Sequence, residues 1–203
     1  MPRVVKPAKR LRREPEEAKL LILKTAEKIM LEEGYAAVTV RRVAKSAGVS
    51  ATLLHYYYAT ADDLLIALYS HASDKDLASL KSALAADDPL AALWAYQTDS
   101  TRTALGVEFL ALANHRKSIR MKIVQFAEHA RALQTKALAD LIAPDSEFVP
   151  CSPVCVSMLL TSVSRNMIFE SGVGISSGHA EARAFVQQTL ARLKRKRMRP
   201  QPP

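Results

Sequence analysis

Residues 39–58, TVRRVAKSAGVSATLLHYYY, constrain the fold more than any other stretch, because they specify two short helices and the turn between them. Thr39 is a suitable N-cap, since its hydroxyl can accept a backbone N–H that the first helical turn leaves unpaired. Val40, Val43, Ala44 and Ala47 then recur at helical spacing and form one apolar stripe. Gly48 falls where that helix must stop, and glycine enters the left-handed region without a Cβ penalty. Ser50 caps a second helix carrying Leu53, Leu54, Tyr57 and Tyr58. Ala44 is small where the two helices would cross. This is the pattern of a helix-turn-helix, whose second helix enters the DNA major groove.

An ordinary αα-hairpin is the competing reading of the same residues. Two local details favour DNA. Arg41 and Arg42 occupy the first turn of their helix, where the helix dipole disfavours cations. A phosphate would supply the missing negative charge; solvated surface charges are the plain alternative. The second helix also offers Ala51, Thr52, His55 and Tyr56, short or planar groups suited to a groove.

The net charge of +9 is unevenly placed. Arg3, Lys6, Lys9, Arg10, Arg12 and Arg13 lie in the first 13 residues with no acid among them. Arg192, Lys194, Arg195, Lys196, Arg197 and Arg199 crowd the other end. From Glu14 to Ala191 there are 17 basic and 20 acidic residues, so the body is slightly acidic. Basic tails of this kind attract polyanions in a strongly salt-dependent way. Between Glu14 and Ala61 the charges balance at six of each sign, which gives the 3–13 arm the salt-sensitive affinity and the 51–57 helix the selectivity.

A chain of 203 residues with 49% apolar and 24% charged residues can bury a real core. No apolar run approaches the roughly 18–20 residues of a membrane span. The sequence MPRVVKPAKRLRRE is not followed by the apolar stretch of a secretory signal, so a cytoplasmic protein without a membrane partner is expected. Cys151 and Cys155 are then expected to be reduced. Ser152-Pro153 reads as a helix start, which puts Cys155 in a first turn, where thiol pKa values can fall. Ordinary thiols remain the simpler reading, and no metal or other cofactor is expected.

Apolar periodicity and breakers predict only helices. A basic arm covers 1–14. Helices are expected over 15–33, over the two parts of the helix-turn-helix, and from the Thr60-Ala61-Asp62-Asp63 capping box to about Leu84. Others follow from Asp87-Asp88-Pro89, over about 101–114, 117–141, 153–171 and 179–196, with loops at 144–152 and at GVGISSG, 172–178. The fold class is all-α, with about nine helices. The expected domains are a helix-turn-helix DNA-binding domain at 15–60 and a helical ligand-binding and dimerisation domain at 61–196. Disordered segments would flank them at 1–14 and 197–203.

This order of parts resembles the TetR family of bacterial transcriptional regulators. The residues that carry the likeness are Gly34 and Thr39, the run AGVS at 47–50, Leu54, Tyr57 with Tyr58 after it, and Leu64-Leu65. The likeness is specific over 16–70 and extends beyond only as size and helix pattern. It implies a homodimer on a palindromic double-stranded operator and a small effector that moves the two heads apart. Thr39, Arg41 and Arg42 would then meet the phosphate backbone. Ser50, Thr52, Tyr56 and Tyr57 would face the groove or its walls, and Ala51, Leu53 and His55 match base-reading positions. His55 stands where relatives commonly have Tyr, Tyr58 where they have Phe, and Ala61 where a phosphate-anchoring lysine is usual. The arm with Lys9, Arg10, Arg12 and Arg13 is a candidate replacement for that anchor.

A helical effector pocket should be apolar with few polar groups. Trp94, Phe109, Met121, Phe126, Met158, Met167 and Phe169 are candidate lining residues, though plain core is the alternative for each. Acids are few in the apolar stripes, which points to a lipophilic effector, neutral or anionic, rather than a polyamine. His115-Arg116-Lys117 with Arg120 could meet an anionic group or form a solvated helix end. The last two helices are the natural dimer elements, packing as a four-helix bundle. Two other functions compete: a non-specific architectural DNA binder driven by the tails, and a helical enzyme. For the latter, His71, His115, His129 and His179 show no triad order or metal spacing, and GVGISSG lacks the preceding strand of a dinucleotide loop.

Overall fold

Pro15 opens the first helix, where its missing N–H costs nothing, and Gly34 ends it at a φ of 81°. In this computed structural model, which describes residues 14–142 and 151–197, the described residues form nine α-helices and no strand. They are α1 (Pro15–Glu33), α2 (Val40–Ala47), α3 (Ala51–Tyr57), α4 (Ala61–Leu84), α5 (Pro89–Gln97), α6 (Ser100–His115), α7 (Lys117–Leu141), α8 (Pro153–Gly172) and α9 (His179–Arg197). The expectations placed on the 1–13 arm, most of the 144–152 loop and the 198–203 tail lie outside the described residues.

Side-chain caps fix most helix starts. Thr39 accepts the Arg42 N–H at 3.2 Å and Ser50 the Leu53 N–H at 3.1 Å. Thr60 and Asp63 form the expected reciprocal box, with the Thr60 N–H donating to Asp63 Oδ2 at 2.9 Å. Asp99 accepts the Arg102 N–H at 2.7 Å, which starts α6 at Ser100. Gly48 has φ 65°, the left-handed stop that the turn requires. The sequence did not predict the short 3₁₀ turn at Tyr35–Ala37 between α1 and α2.

Two apolar clusters build the interior. The first joins Ile22, Ala26 and Met30 of α1, Val43 and Ala44 of α2, and Leu54 of α3 to Leu64, Leu68 and Tyr69 of α4. It continues through Phe109 and Leu112 of α6 to Ile119 and Ile123 of α7, so the core does not stop at Thr60. The second joins Leu80, Leu93, Trp94, Leu138, Leu160, Met167, Val186 and Leu190, from α4, α5, α7, α8 and α9. Phe126 packs against both clusters.

Candidate functional site

The helix-turn-helix is held together by its own buried residues and turn hydrogen bonds. Val43, Ala44 and Leu54 are buried, and the Val49 N–H donates to the Ala44 carbonyl at 3.1 Å across the turn. This seats α3 with Ala51, Thr52, His55 and Tyr56 exposed; Tyr56 is 80% accessible. Leu53 and Tyr57 are half-buried. The Lys19 ammonium lies 5.6 Å from the centroid of the Tyr57 ring, and Tyr56 meets that ring edge-on at 5.3 Å. His55 Nδ1 lies 3.3 Å from the Ala59 carbonyl oxygen, so this ring leans on the end of its own helix. The Thr39 and Ser50 hydroxyls face solvent but are engaged as caps.

The two arginines differ. Arg42 is held by both carboxylate oxygens of Glu33 and donates to Ser46 Oγ at 2.7 Å. Its unfavourable place near the helix start is therefore compensated within the chain, by an acid of α1 that the sequence reading did not connect to it. Glu33 also raises the Arg42 pKa, through the hydrogen bond first and charge second. Arg41 is exposed and has no ion pair among the described residues. Lys9, Arg10, Arg12 and Arg13 lie outside the described residues.

Behind the head, α4, α5, α6, α7 and α8 enclose a cavity of about 170 Å³ at the seam between the two apolar clusters. One wall is aromatic. Tyr69 meets Phe109 edge-on at 4.8 Å and Phe126 at 6.1 Å. Another part of the lining is polar and largely buried. Gln97 Nε2 donates to Gln134 Oε1 at 3.2 Å and to Thr161 Oγ1 at 3.1 Å, while the Ser157 hydroxyl donates to Gln134 Oε1 at 2.6 Å. Gln97, Gln134 and Ser157 are all buried, so each polar atom needs these partners.

Charge enters this wall as well. Arg102 lies 3.9 Å from the Tyr96 ring centroid, donates twice to the Tyr96 carbonyl, and sits 3.4 Å from Asp76. Burial pushes the Asp76 carboxyl up, against the lowering effect of Arg102 and of hydrogen bonds from Tyr96 and Arg102. Burial likewise raises the Tyr96 phenol well above its usual range. Arg131, whose Nη1 donates to Ser157 Oγ at 3.4 Å, and Arg165 also line the cavity. Gly106, Leu110, Ala127 and Arg165 are lining residues exposed to solvent, and they mark the mouth.

The candidate ligand residues are dispersed. Phe109 and Phe126 line the cavity. Trp94 and Met167 are buried in the second cluster. Met121, Met158 and Phe169 are exposed, at 62%, 54% and 58%. The pocket is also more polar than expected: Asp76, Tyr96, Gln97, Arg102, Arg131, Gln134 and Arg165 were not anticipated as lining. The signal was present for some. Gln134 falls in the Ile119, Ile123, Ala130, Leu138 stripe of α7, and Arg165 is the one basic residue of α8.

The remaining polar groups are accounted for locally. Arg116 Nη1 pairs with Asp62 at 2.8 Å, and Ser118 donates to the same carboxylate at 2.7 Å. Arg120 donates to the Ala113 carbonyl at 3.0 Å, closing the α6–α7 corner. His179 Nε2 pairs with Glu170 at 2.7 Å and bridges α8 and α9. Cys151 and Cys155 are free thiols; burial, then the hydrogen bond with Cys155, push the Cys151 thiol up, which disfavours its thiolate. Among the described residues, no group of three or more His, Cys, Asp or Glu side chains is placed to hold a metal. No described helix is long and apolar enough to cross a membrane.

Residues 22–68 match the family model described as bacterial regulatory proteins, tetR family. No curated protein sequence matches the chain. Solved structures resemble it along most of its length. A transcriptional regulator from Rhodococcus sp. Rha1 superposes with a TM-score of 0.71 at 18% identity, over 91% of this chain and 97% of its own. A TetR transcription regulator from Haloarcula marismortui gives 0.69 at 18% identity, over 87% and 98%. A regulator from Saccharomonospora viridis in complex with choline gives 0.66 at 16% identity, over 89% and 95%. At such identities the likeness establishes the fold. Residues 22–68 thus carry a helix-turn-helix of the tetR family of bacterial regulatory proteins, and the chain shares along most of its length the fold of transcriptional regulators of that family.

Proposed function

We propose that the protein is an effector-responsive repressor that binds a palindromic operator as a homodimer and leaves it when a small organic ligand fills the cavity. The observation that carries this reading is the double role of α6. Arg102, Thr103, Leu105, Gly106, Phe109 and Leu110 of that helix line the cavity. The same helix reaches the head: Glu108 Oε2 accepts the Tyr35 N–H at 2.8 Å, and the His115 ring stacks on Tyr35 with centroids 6.3 Å apart. Just past its end, Arg116 pairs with Asp62 at the start of α4, next to the reading helix. A ligand that repositions α6 therefore acts directly on the supports of α3, and a shift of 1–2 Å is a usual size for such helix movements.

On the DNA side, α3 would enter the major groove with Ala51, Thr52, His55 and Tyr56 toward the bases. Thr39, Arg41 and the basic arm would hold phosphates, which position the protein without reading sequence. Arg42 would serve the same surface only in competition with Glu33. In this division the first 60 residues read DNA, in the cytoplasm, and the rest binds the effector and dimerises.

The last two helices suit a two-fold interface. Met158, Leu159 and Phe169 of α8, Val173 and Ile175 of the following loop, and Phe185 of α9 are all exposed. An apolar surface of this kind on a regulator marks an association site. The choline of the Saccharomonospora viridis protein is a quaternary ammonium; the three arginines at this chain's cavity argue for a different effector. Phe109 and Phe126 would contact its apolar part.

Selection of bound duplexes from a randomised DNA library by the full chain tests the reading. An enriched inverted repeat is the expected product. Enrichment of no motif, with binding that follows only the basic tails, would support the architectural alternative instead.

A further inference from the structure

The cavity is charged in a way that its internal bonds do not balance. Three arginines and one aspartate line it. Arg102 is matched by Asp76 and by the Tyr96 carbonyl. Arg131 has one hydrogen bond, to the neutral Ser157 hydroxyl at 3.4 Å. Arg165 has neither an ion pair nor a hydrogen bond among the described residues. Two guanidinium groups thus converge on one space without a carboxylate between them.

Like charges that line one cavity repel unless a counter-ion intervenes. The Arg165 pKa is lowered, first by the partial desolvation of a side chain that is still open to solvent at the mouth and then by the charges of Arg131 and Arg102. Guanidinium groups also have a preferred complement, because their parallel N–H pairs match the two oxygens of a carboxylate. Tyr69, Phe109 and Phe126 line the same cavity as one packed aromatic group, with no charge among them. Size limits what fits there. A volume of about 170 Å³ is comparable with the roughly 150 Å³ cavity that takes up one benzene ring.

We propose that the effector of this cavity is a small amphipathic organic anion, whose carboxylate or equivalent acidic group is clamped by Arg131 and Arg165 and whose ring or short acyl body lies on Tyr69, Phe109 and Phe126. This rests on the effector-responsive reading and specifies its ligand. Arg165 lines the cavity and is open to solvent at its mouth, so it meets the anion on entry. Arg131 lies deeper and ties the anion to Ser157 and through it to the Gln134 network. Arg102, already paired, holds α5 and α6 in place rather than binding the ligand.

The test uses the full chain in phosphate- and sulfate-free buffer, with calorimetric titration of matched probes: benzoate, benzamide and benzylamine, then hexanoate, hexanamide and hexylamine. The acid of at least one set should bind at least tenfold more tightly than its amide and its amine. R131Q and R165Q should each remove most of that preference, and R165K should retain part of it. Circular dichroism and light scattering on each variant separate loss of the clamp from loss of fold or dimer. Amides or amines that bind as well as the acids would overturn the proposal, as would acids that fail to saturate the protein by about 10 mM, or an acid preference unchanged in both correctly folded Gln variants. Repeating the titration with the selected DNA duplex separates the two ideas. Acid binding that leaves DNA affinity unchanged removes the regulatory reading and leaves the anion site standing.

Discussion

Glu108 accepts the backbone N–H of Tyr35 at 2.8 Å, a bond that spans 73 positions of sequence and joins α6 to the 3₁₀ turn before the reading head. A carboxylate bonded to a partly buried amide is stronger than a neutral pair. E108A should lower stability by about 1 kcal/mol in urea unfolding, and E108Q by less, because it keeps an acceptor. It should also weaken the response of DNA affinity to the effector while leaving the selected motif unchanged. An unfolding midpoint identical to the wild type would show that the bond carries no load.

Arg41 and Arg42, adjacent in sequence, should separate in DNA binding. Arg41 is free to meet a phosphate, so R41A should weaken binding to all duplexes and reduce the salt slope by about 1. Arg42 is engaged by Glu33 and Ser46, so R42A should change that slope less. Fluorescence anisotropy across a salt series measures both. Equal slopes for the two variants would place Arg42 on phosphate despite Glu33.

Gln134 is the acceptor shared by Gln97 and Ser157 in the buried wall of the cavity. Q134L deprives both donors at once and should cost about 1–3 kcal/mol of stability. Replacing Gln97 and Gln134 together should cost less than the sum of the single changes, because the double variant leaves fewer orphaned groups. Strict additivity in that cycle would argue against a connected network.

Most of the fold and part of the site were legible in the sequence. Caps and stops reside in single residues and their neighbours, so Thr39, Gly48, Ser50 and the Thr60–Asp63 box placed their helix ends directly. The stripes of α1 and α2 assigned buried faces for the same local reason. The cavity wall was not legible, because it is assembled from α5, α7 and α8, and pairings such as Gln97 with Gln134 depend on how helices cross. Glu33 and Arg42 show the same limit at short range: the nine-residue separation spans a stop, a 3₁₀ turn and a new helix. The aromatic and Met residues carried least information, since Phe109 at the cavity and Met167 in the core have the same helical spacing.

The Glu170–His179 pair that closes the α8–α9 connection should give a pH signature. The hydrogen bonds from His179 and then Asn166 hold the Glu170 carboxyl below its usual range. A depressed carboxylate contributes stability above its unfolded pKa, about 4.3 for glutamate, and loses it as the pH falls through the lower folded value. The wild type should therefore melt above E170Q near neutral pH, and the two curves should converge in acid. A gap that widens as the pH falls would contradict the assignment.

In the proposed division of labour, α3 reads sequence while charge elsewhere supplies affinity. The most direct measurement compares the wild type with a Thr52→Ala, His55→Ala, Tyr56→Ala triple variant on the selected duplex and on a shuffled one. The ratio of the two affinities should fall at least tenfold, toward one, while affinity for shuffled DNA and its salt dependence persist. A triple variant that folds, binds and keeps its preference for the selected duplex would contradict it.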